Sequence, residues 1–138
     1  MLLTGVPGWL TDALLQSLRT TPGPGLTAVR CFVQPGVRIA IGAAEGAAGI
    51  PVECAIGDLR DPASLTAALQ GVDTVLHAAG VLHVRRTRDW YEINTYGTAR
   101  LVEAAVAARV ERFVFVSSNA AAGRSDRRER PLTEADPP

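Results

Sequence analysis

The stretch LLTGVPGWLTDALL at residues 2–15 constrains the fold more than any other part of the chain. It opens as an apolar run, breaks at Gly5 and Gly8, and resumes with leucines at helical spacing. A strand that turns through glycine into a helix aims the helix's unpaired N–H groups and positive dipole end at the turn. Such an end holds phosphate oxygens; Gly5 permits the tight turn and Gly8 lets a pyrophosphate approach the backbone with no Cβ in the way. A glycine pair alone is equally at home in an ordinary turn. The rest of the chain decides between the two uses.

Short runs rich in Val, Ile and Phe alternate with longer stretches of helical spacing, the βαβα rhythm of a parallel sheet covered on both faces. Strands are expected at 1–4, 26–33, 52–56, 74–78 and 113–117, and helices at 9–20, 39–48, 62–70 and 88–109. TTPGPG at 20–25 supplies prolines and glycine where the first helix should stop. Asp61 before Pro62 is an N-cap followed by proline at the first helical position. Three glycines in IGAAEGAAG make the second helix short or frayed. The fold class that follows is α/β, a Rossmann-type doubly wound parallel sheet in strand order 3-2-1-4-5. It is expected to occupy residues 1–123, with a polar loop at 124–138, poorly ordered or extended, leading to an absent C-terminal part.

With 138 residues and 47% hydrophobic content the chain can bury the core of one domain. Fourteen acids balance fourteen bases, so no net field favours nucleic acid or an anionic membrane as partner. Every base is arginine; the chain contains no lysine. Cys31 and Cys54 both fall in apolar runs, which is the pattern of buried free thiols in a reducing compartment, and a cytoplasmic location is expected. No stretch approaches the roughly 20 apolar residues of a membrane span. His77 and His83 have no zinc-ligand spacing with either cysteine, so no metal is expected.

Five stretches, taken in order, resemble the extended branch of the short-chain dehydrogenase/reductase superfamily, which includes the NAD(P)-dependent epimerases and dehydratases. TGVPGWLT is similar to its T-G-x-x-G-x-x-G fingerprint, GDLRDPASL to its Asp-hydrophobic-x-Asp element, and VLHAAG to its small-residue turn after the fourth strand. INTYGTARLVEAA is similar to the helix carrying its structural asparagine, and RFVFVSSNAAAG to its fifth strand and catalytic serine. The resemblance covers nearly the whole chain. It implies a dinucleotide held by Gly5, Gly8, Trp9 and Leu10 at the helix start, Gln34 and Arg38 near the ribose, and Asp58 with Leu59 at the adenine. It further implies His77, Ala78, Ala79, Asn94 and Ser117 beside the cofactor, and Ser118 as the catalytic serine.

The departures from that pattern carry their own expectations. Thr11 replaces the third glycine, so its side chain should push the helix outward or point a methyl into the gap. Asp12 should compete with a phosphate for the dipole. No acid occurs between Asp12 and Glu45, and Arg30 and Arg38 lie near in sequence, so the expected cofactor is NADP or NAD with NADP preferred. The family's Tyr-x-x-x-Lys pair is absent, since no lysine exists, and the sequence stops where that pair should follow. The chain is therefore read as the cofactor-binding part of an oxidoreductase, epimerase or dehydratase acting on a small-molecule substrate, with a homodimer open for the full-length protein. The alternatives are a dinucleotide-binding regulatory protein without catalysis and a nonfunctional fold fragment.

Overall fold

A computed structural model of the chain describes residues 1–37, 49–118, 121, 133 and 135. Five parallel strands form one sheet in the order β3-β2-β1-β4-β5: β1 (Leu2–Thr4), β2 (Val29–Val33), β3 (Val52–Ile56), β4 (Thr74–His77) and β5 (Arg112–Phe115). The helices are α1 (Trp9–Thr20), α2 (Pro62–Ala68), α3 (Thr87–Tyr91) and α4 (Thr98–Ala107), and a π-helical segment, Glu92–Gly97, joins the last two. The sheet order is the one the sequence pattern predicts.

Strand β1 is short yet sits at the centre, fully buried, with Leu2 packed into one apolar layer and Leu3 into the other. Alternation along a strand sends successive side chains to opposite faces, which is why three residues serve two layers. Leu2, Phe32, Val75 and the apolar faces of α2 (Leu65, Ala68) and α4 (Leu101, Ala105) make the first layer. Leu3, Val29, Cys31 and Val33 with Leu15 of α1 make the second. Helices on both faces thus cover the central strands.

Cover fails at the margins. Ile56, at the end of edge strand β3, is 71% exposed, and β5 exposes Val114 and Phe115. Cys54 is exposed on β3 while its register partner Cys31 is buried, which corrects the expectation of two buried thiols. Burial pushes the Cys31 thiol up to about 11, so it stays protonated at neutral pH.

Strand β2 begins at Val29, later than expected, because Gly25 at φ +82 and a bond from Leu26 N–H to the Gly23 carbonyl keep the preceding residues in a turn. The expected N-cap at α2 is present, with Asp61 Oδ1 accepting the Ala63 N–H at 3.0 Å and Pro62 opening the helix. The helix expected at 39–48 lies outside the described residues, as does the polar loop at 124–138 apart from Thr133 and Ala135.

Candidate functional site

All five strands being parallel, their C-terminal ends lie along one sheet edge, and the chain direction of travel reverses at β1, which has β2 on one side and β4 on the other. In open α/β sheets that switch point is where a crevice opens to ligands. Gly5 stands at its mouth with φ +91, and a Cβ there would lie 2.7 Å from the Ala78 carbonyl group and 2.8 Å from the Ala79 nitrogen. Only glycine suits that backbone and that contact together. The Thr4 hydroxyl accepts the Ala79 N–H at 3.1 Å, so a side chain continues the pairing of β1 with β4 just where the ladder ends.

Gly8 is the N-cap of α1 with extended backbone, φ −166, and needs no left-handed conformation. A Cβ on it would lie 2.7 Å from the Gly5 carbonyl oxygen. The missing side chain is therefore required by the loop's own packing, a role the sequence reading had given to an approaching pyrophosphate. Thr11 also differs from expectation. Its buried hydroxyl donates to the Gly5 carbonyl at 2.8 Å, with the Gly8 carbonyl at 3.1 Å, so the residue ties the loop to the helix by hydrogen bonding and does not push them apart.

No side chain caps α1, and Pro7 before the cap has no N–H. The Gly8 N–H meets the Asp12 carboxylate only at a long 3.4 Å. The N–H groups of Trp9 and Leu10 are left open at the positive end of the helix dipole, beneath side chains that face solvent.

Past the C-terminal end of β3, Asp58 follows Gly57, whose absent Cβ makes room for the Phe32 ring and the Ser64 hydroxyl. Asp58 is held by Arg60: Oδ1 accepts the Arg60 backbone N–H and Nε–H, both at 2.9 Å, and Oδ2 accepts Nη2–H at 2.5 Å. Hydrogen bonding to that guanidinium keeps the Asp58 carboxyl below the usual carboxylate range, against the opposing effect of burial. The Leu59 side chain is buried in the core and lies against Gly97. Gln34 is exposed just past β2, its carbonyl accepting the Val37 N–H at 3.1 Å in a turn.

Arg30 does not reach this place. Its Nε donates to Glu53 at 2.7 Å and its Nη1 to the Ala68 and Gln70 carbonyls at 2.8 and 2.7 Å, closing the C-terminal end of α2. Gln34 lies four positions further along, about 13 Å at the rise of a strand, which puts Arg30 toward the opposite sheet edge. Arg38 lies outside the described residues.

His77 is not an open cofactor contact. Its ring is wholly buried, with Nδ1 2.6 Å from the Thr4 hydroxyl and Nε2 2.9 Å from the Thr98 hydroxyl, and it stacks on Phe115 at 5.5 Å. We assign the ring proton to Nε2, which donates to the Thr98 hydroxyl, while Nδ1 accepts from the Thr4 hydroxyl. Desolvation pushes the histidine down to about 4, so it is neutral at pH 7. Asn94 is likewise committed: Oδ1 accepts the Val81 N–H at 2.8 Å and Nδ2 donates to the Val81 carbonyl at 2.9 Å. It clamps the loop after β4 to the π-helical segment, using one donor and one acceptor of its amide. Ala78 and Ala79 contribute backbone at the crevice, and Ser117 and Ser118 lie exposed in the stretch leaving β5. Arg60 is the site-building residue that the motifs gave no sign of; Thr4 and Thr98 lie inside the matched motifs without an assigned role, and Thr11 was read only by its place in the glycine spacing.

Among the described residues no group of three His, Cys, Asp or Glu is placed to hold a metal ion, and no helix is long and apolar enough to cross a membrane. The family model of the NAD dependent epimerase/dehydratase family matches residues 1–138. An uncharacterised Sinorhizobium fredii protein, y4nL, is 36% identical over 145 residues, covering 99% of this chain and 39% of that protein. The dTDP-glucose 4,6-dehydratase DesIV of Streptomyces venezuelae, solved as a double mutant with NAD and DAU bound, superposes with TM-score 0.78 at 29% identity, over 99% of this chain and 44% of that one. A short-chain dehydrogenase/reductase superfamily protein from Agrobacterium tumefaciens with bound NAD gives TM-score 0.76 at 31% identity, over 99% and 38%. The chain thus spans about two-fifths of the length of these relatives. The family model matches the whole chain and the parallel sheet superposes on solved members, so the chain belongs to the NAD-dependent epimerase/dehydratase family.

Proposed function

We propose that this chain forms the dinucleotide-binding part of an NAD(P)-dependent oxidoreductase, epimerase or dehydratase of the extended short-chain type, acting on a secondary alcohol, a carbonyl compound or a nucleotide sugar. The observation that carries the reading is the uncapped start of α1 at the switch point, where Gly5 seats the loop against Ala78 and Ala79. Trp9 and Leu10 N–H groups would hold the pyrophosphate, and Asp58 with the Leu59 N–H would meet the adenine edge. The residues present fit the group, and when bound it would supply a hydride donor or acceptor at its nicotinamide.

The chain's own residues then set what chemistry is open. His77 is buried and neutral, so it positions Thr4 and Thr98 and moves no substrate proton. Ser118, exposed just past β5, is the residue we assign to face substrate. NADP as the preferred form rests on Gln34 standing where an acid would bind the ribose hydroxyls.

The test is titration of the full-length protein with NADH and NADPH, followed by nicotinamide fluorescence. Trp9→Pro removes one N–H at the first helical position, where proline suits the helix and the extended Gly8 before it. One charge-assisted hydrogen bond is worth about 1.5 to 3 kcal/mol, so affinity should fall at least about tenfold. No binding of either dinucleotide to the wild-type protein overturns the reading.

A further inference from the structure

We propose that Cys31 and Cys54 form a redox site on the sheet, at which a peroxide oxidises the exposed Cys54 and Cys31 then closes a reversible disulfide between β2 and β3. The two residues are register partners on adjacent parallel strands. Neighbouring strands run about 4.7–4.9 Å apart, inside the span of roughly 4.4–6.8 Å between Cα atoms that a disulfide usually bridges. Both side chains leave the sheet on one face. Cys31 packs in the second apolar layer, and Val52, two residues before Cys54 and in register with Val29, packs against that same layer. Residues two apart on a strand share a face, and Ala55, next to Cys54, packs against the other layer. The two thiols also sense each other, since charge on Cys54 adds to the burial that pushes the Cys31 thiol up.

Exposure divides the roles. Cys54 is open to a small oxidant, and Cys31 is wholly buried in the layer that contains Leu15 of α1. In the first step the Cys54 sulfur takes one oxygen from hydrogen peroxide or an alkyl hydroperoxide. The O–O bond breaks, the thiol proton goes to the departing oxygen, and a sulfenic acid is left with water or an alcohol released. In the second step the Cys31 sulfur bonds to the Cys54 sulfur and the S–O bond breaks. The Cys31 proton leaves with that hydroxyl as water. Two thiols are thus oxidised by two electrons and one peroxide is reduced. Cys31, held as a buried thiol, is the partner that resolves and not the one first attacked. A bridge at the tight end of the usual span is strained and readily reduced by another thiol, which makes it reversible. It holds β3, outermost in the sheet order, to β2 just ahead of Gly57 and Asp58.

The experiment treats the folded full-length protein with hydrogen peroxide, blocks the remaining thiols with N-ethylmaleimide in urea, and maps tryptic peptides by mass without reduction. Cleavage after Arg30, Arg38 and Arg60 puts the two cysteines in separate peptides, 31–38 and 39–60. These two should appear joined, lighter than their sum by two hydrogens, and should separate again in dithiothreitol. Amide exchange along β3 should slow once the bridge is closed. Cys31→Ser should leave Cys54 as a sulfenic acid that dimedone captures, and Cys54→Ser should leave Cys31 unmodified over the same time. The wild-type map decides the linkage whether or not Cys31→Ser folds. Both cysteines blocked by maleimide after peroxide, Cys54 joined only to a second copy, or Cys31 oxidised in folded Cys54→Ser would each overturn the inference. Dinucleotide binding is read separately and bears on none of these outcomes.

Discussion

A single buried ring does much to fix the centre of this molecule. His77 joins Thr4 of β1 to Thr98 of α4, and its depressed titration makes the joint pH-sensitive. The folded ring titrates near 4 and the unfolded one near 6.5, so between these values the unfolded chain binds more protons. The contribution is complete above pH 6.5 and is lost as pH falls toward 4, on the order of 3 kcal/mol over the window. Urea unfolding at stepped pH should show that decline in wild type, and His77→Asn should lack this component. Equal declines in the two proteins would show that other groups cause it. Gly5 gives a second expectation. Gly5→Ala adds a Cβ 2.7 Å from the Ala78 backbone at φ +91 and should cost about 2 to 4 kcal/mol in a denaturant melt. Gly5 was singled out by the glycine break and Asp58 by the family resemblance, and the structure sets Gly5 against Ala78 and Ala79 and Asp58 in a clamp from Arg60. The roles of Thr11 and Arg60 were not legible, because which atoms a hydroxyl or guanidinium meets depends on rotamers and neighbours that spacing does not encode. Arg30 was misplaced because nearness in sequence does not say which end of a strand a residue occupies.

Among elements, the helix expected at 88–109 shows where periodicity reading stops. The residues are helical, but Glu92–Gly97 winds as a π-helix between α3 and α4, and Gly97 there lets the Leu59 side chain approach, since a Cβ would lie 2.9 Å from it. Apolar spacing reports a helical period and not a local extra residue, so the insertion was invisible. Asn94, inside it, makes two bonds to Val81. Asn94→Asp keeps one acceptor, loses the donor and sets a charge against the Val81 carbonyl. We expect a loss of about 1 to 3 kcal/mol and faster amide exchange at Val81. Unchanged exchange would mean that the clamp does not hold this loop. The strands fared better, with β3 as expected and the others shorter by one to a few residues at their ends.

For the whole molecule, strand order and the edge where the site gathers followed from the alternation of apolar runs with helical spacing, because a parallel sheet has few ways to be wound. Margins were less legible, since an apolar run looks the same whether or not something lies over it. Strand β5 is an edge among the described residues and exposes Val114, in register with Leu76 of β4. Uncovered apolar edges pair with other chains. The 138-residue chain should therefore sediment with a concentration-dependent coefficient, and Val114→Lys should shift it toward monomer. Identical sedimentation of the two would place self-association elsewhere. The central position of β1 has one more outcome, in the time course of synthesis. Its second neighbour, β4, lies far along the chain, and the Thr4–His77 bond spans 73 residues. At translation speeds of about 5–20 residues per second, roughly 4 to 15 s pass between the emergence of the two partners. Throughout that interval the nascent strand offers one open edge to whatever else is near the ribosome exit.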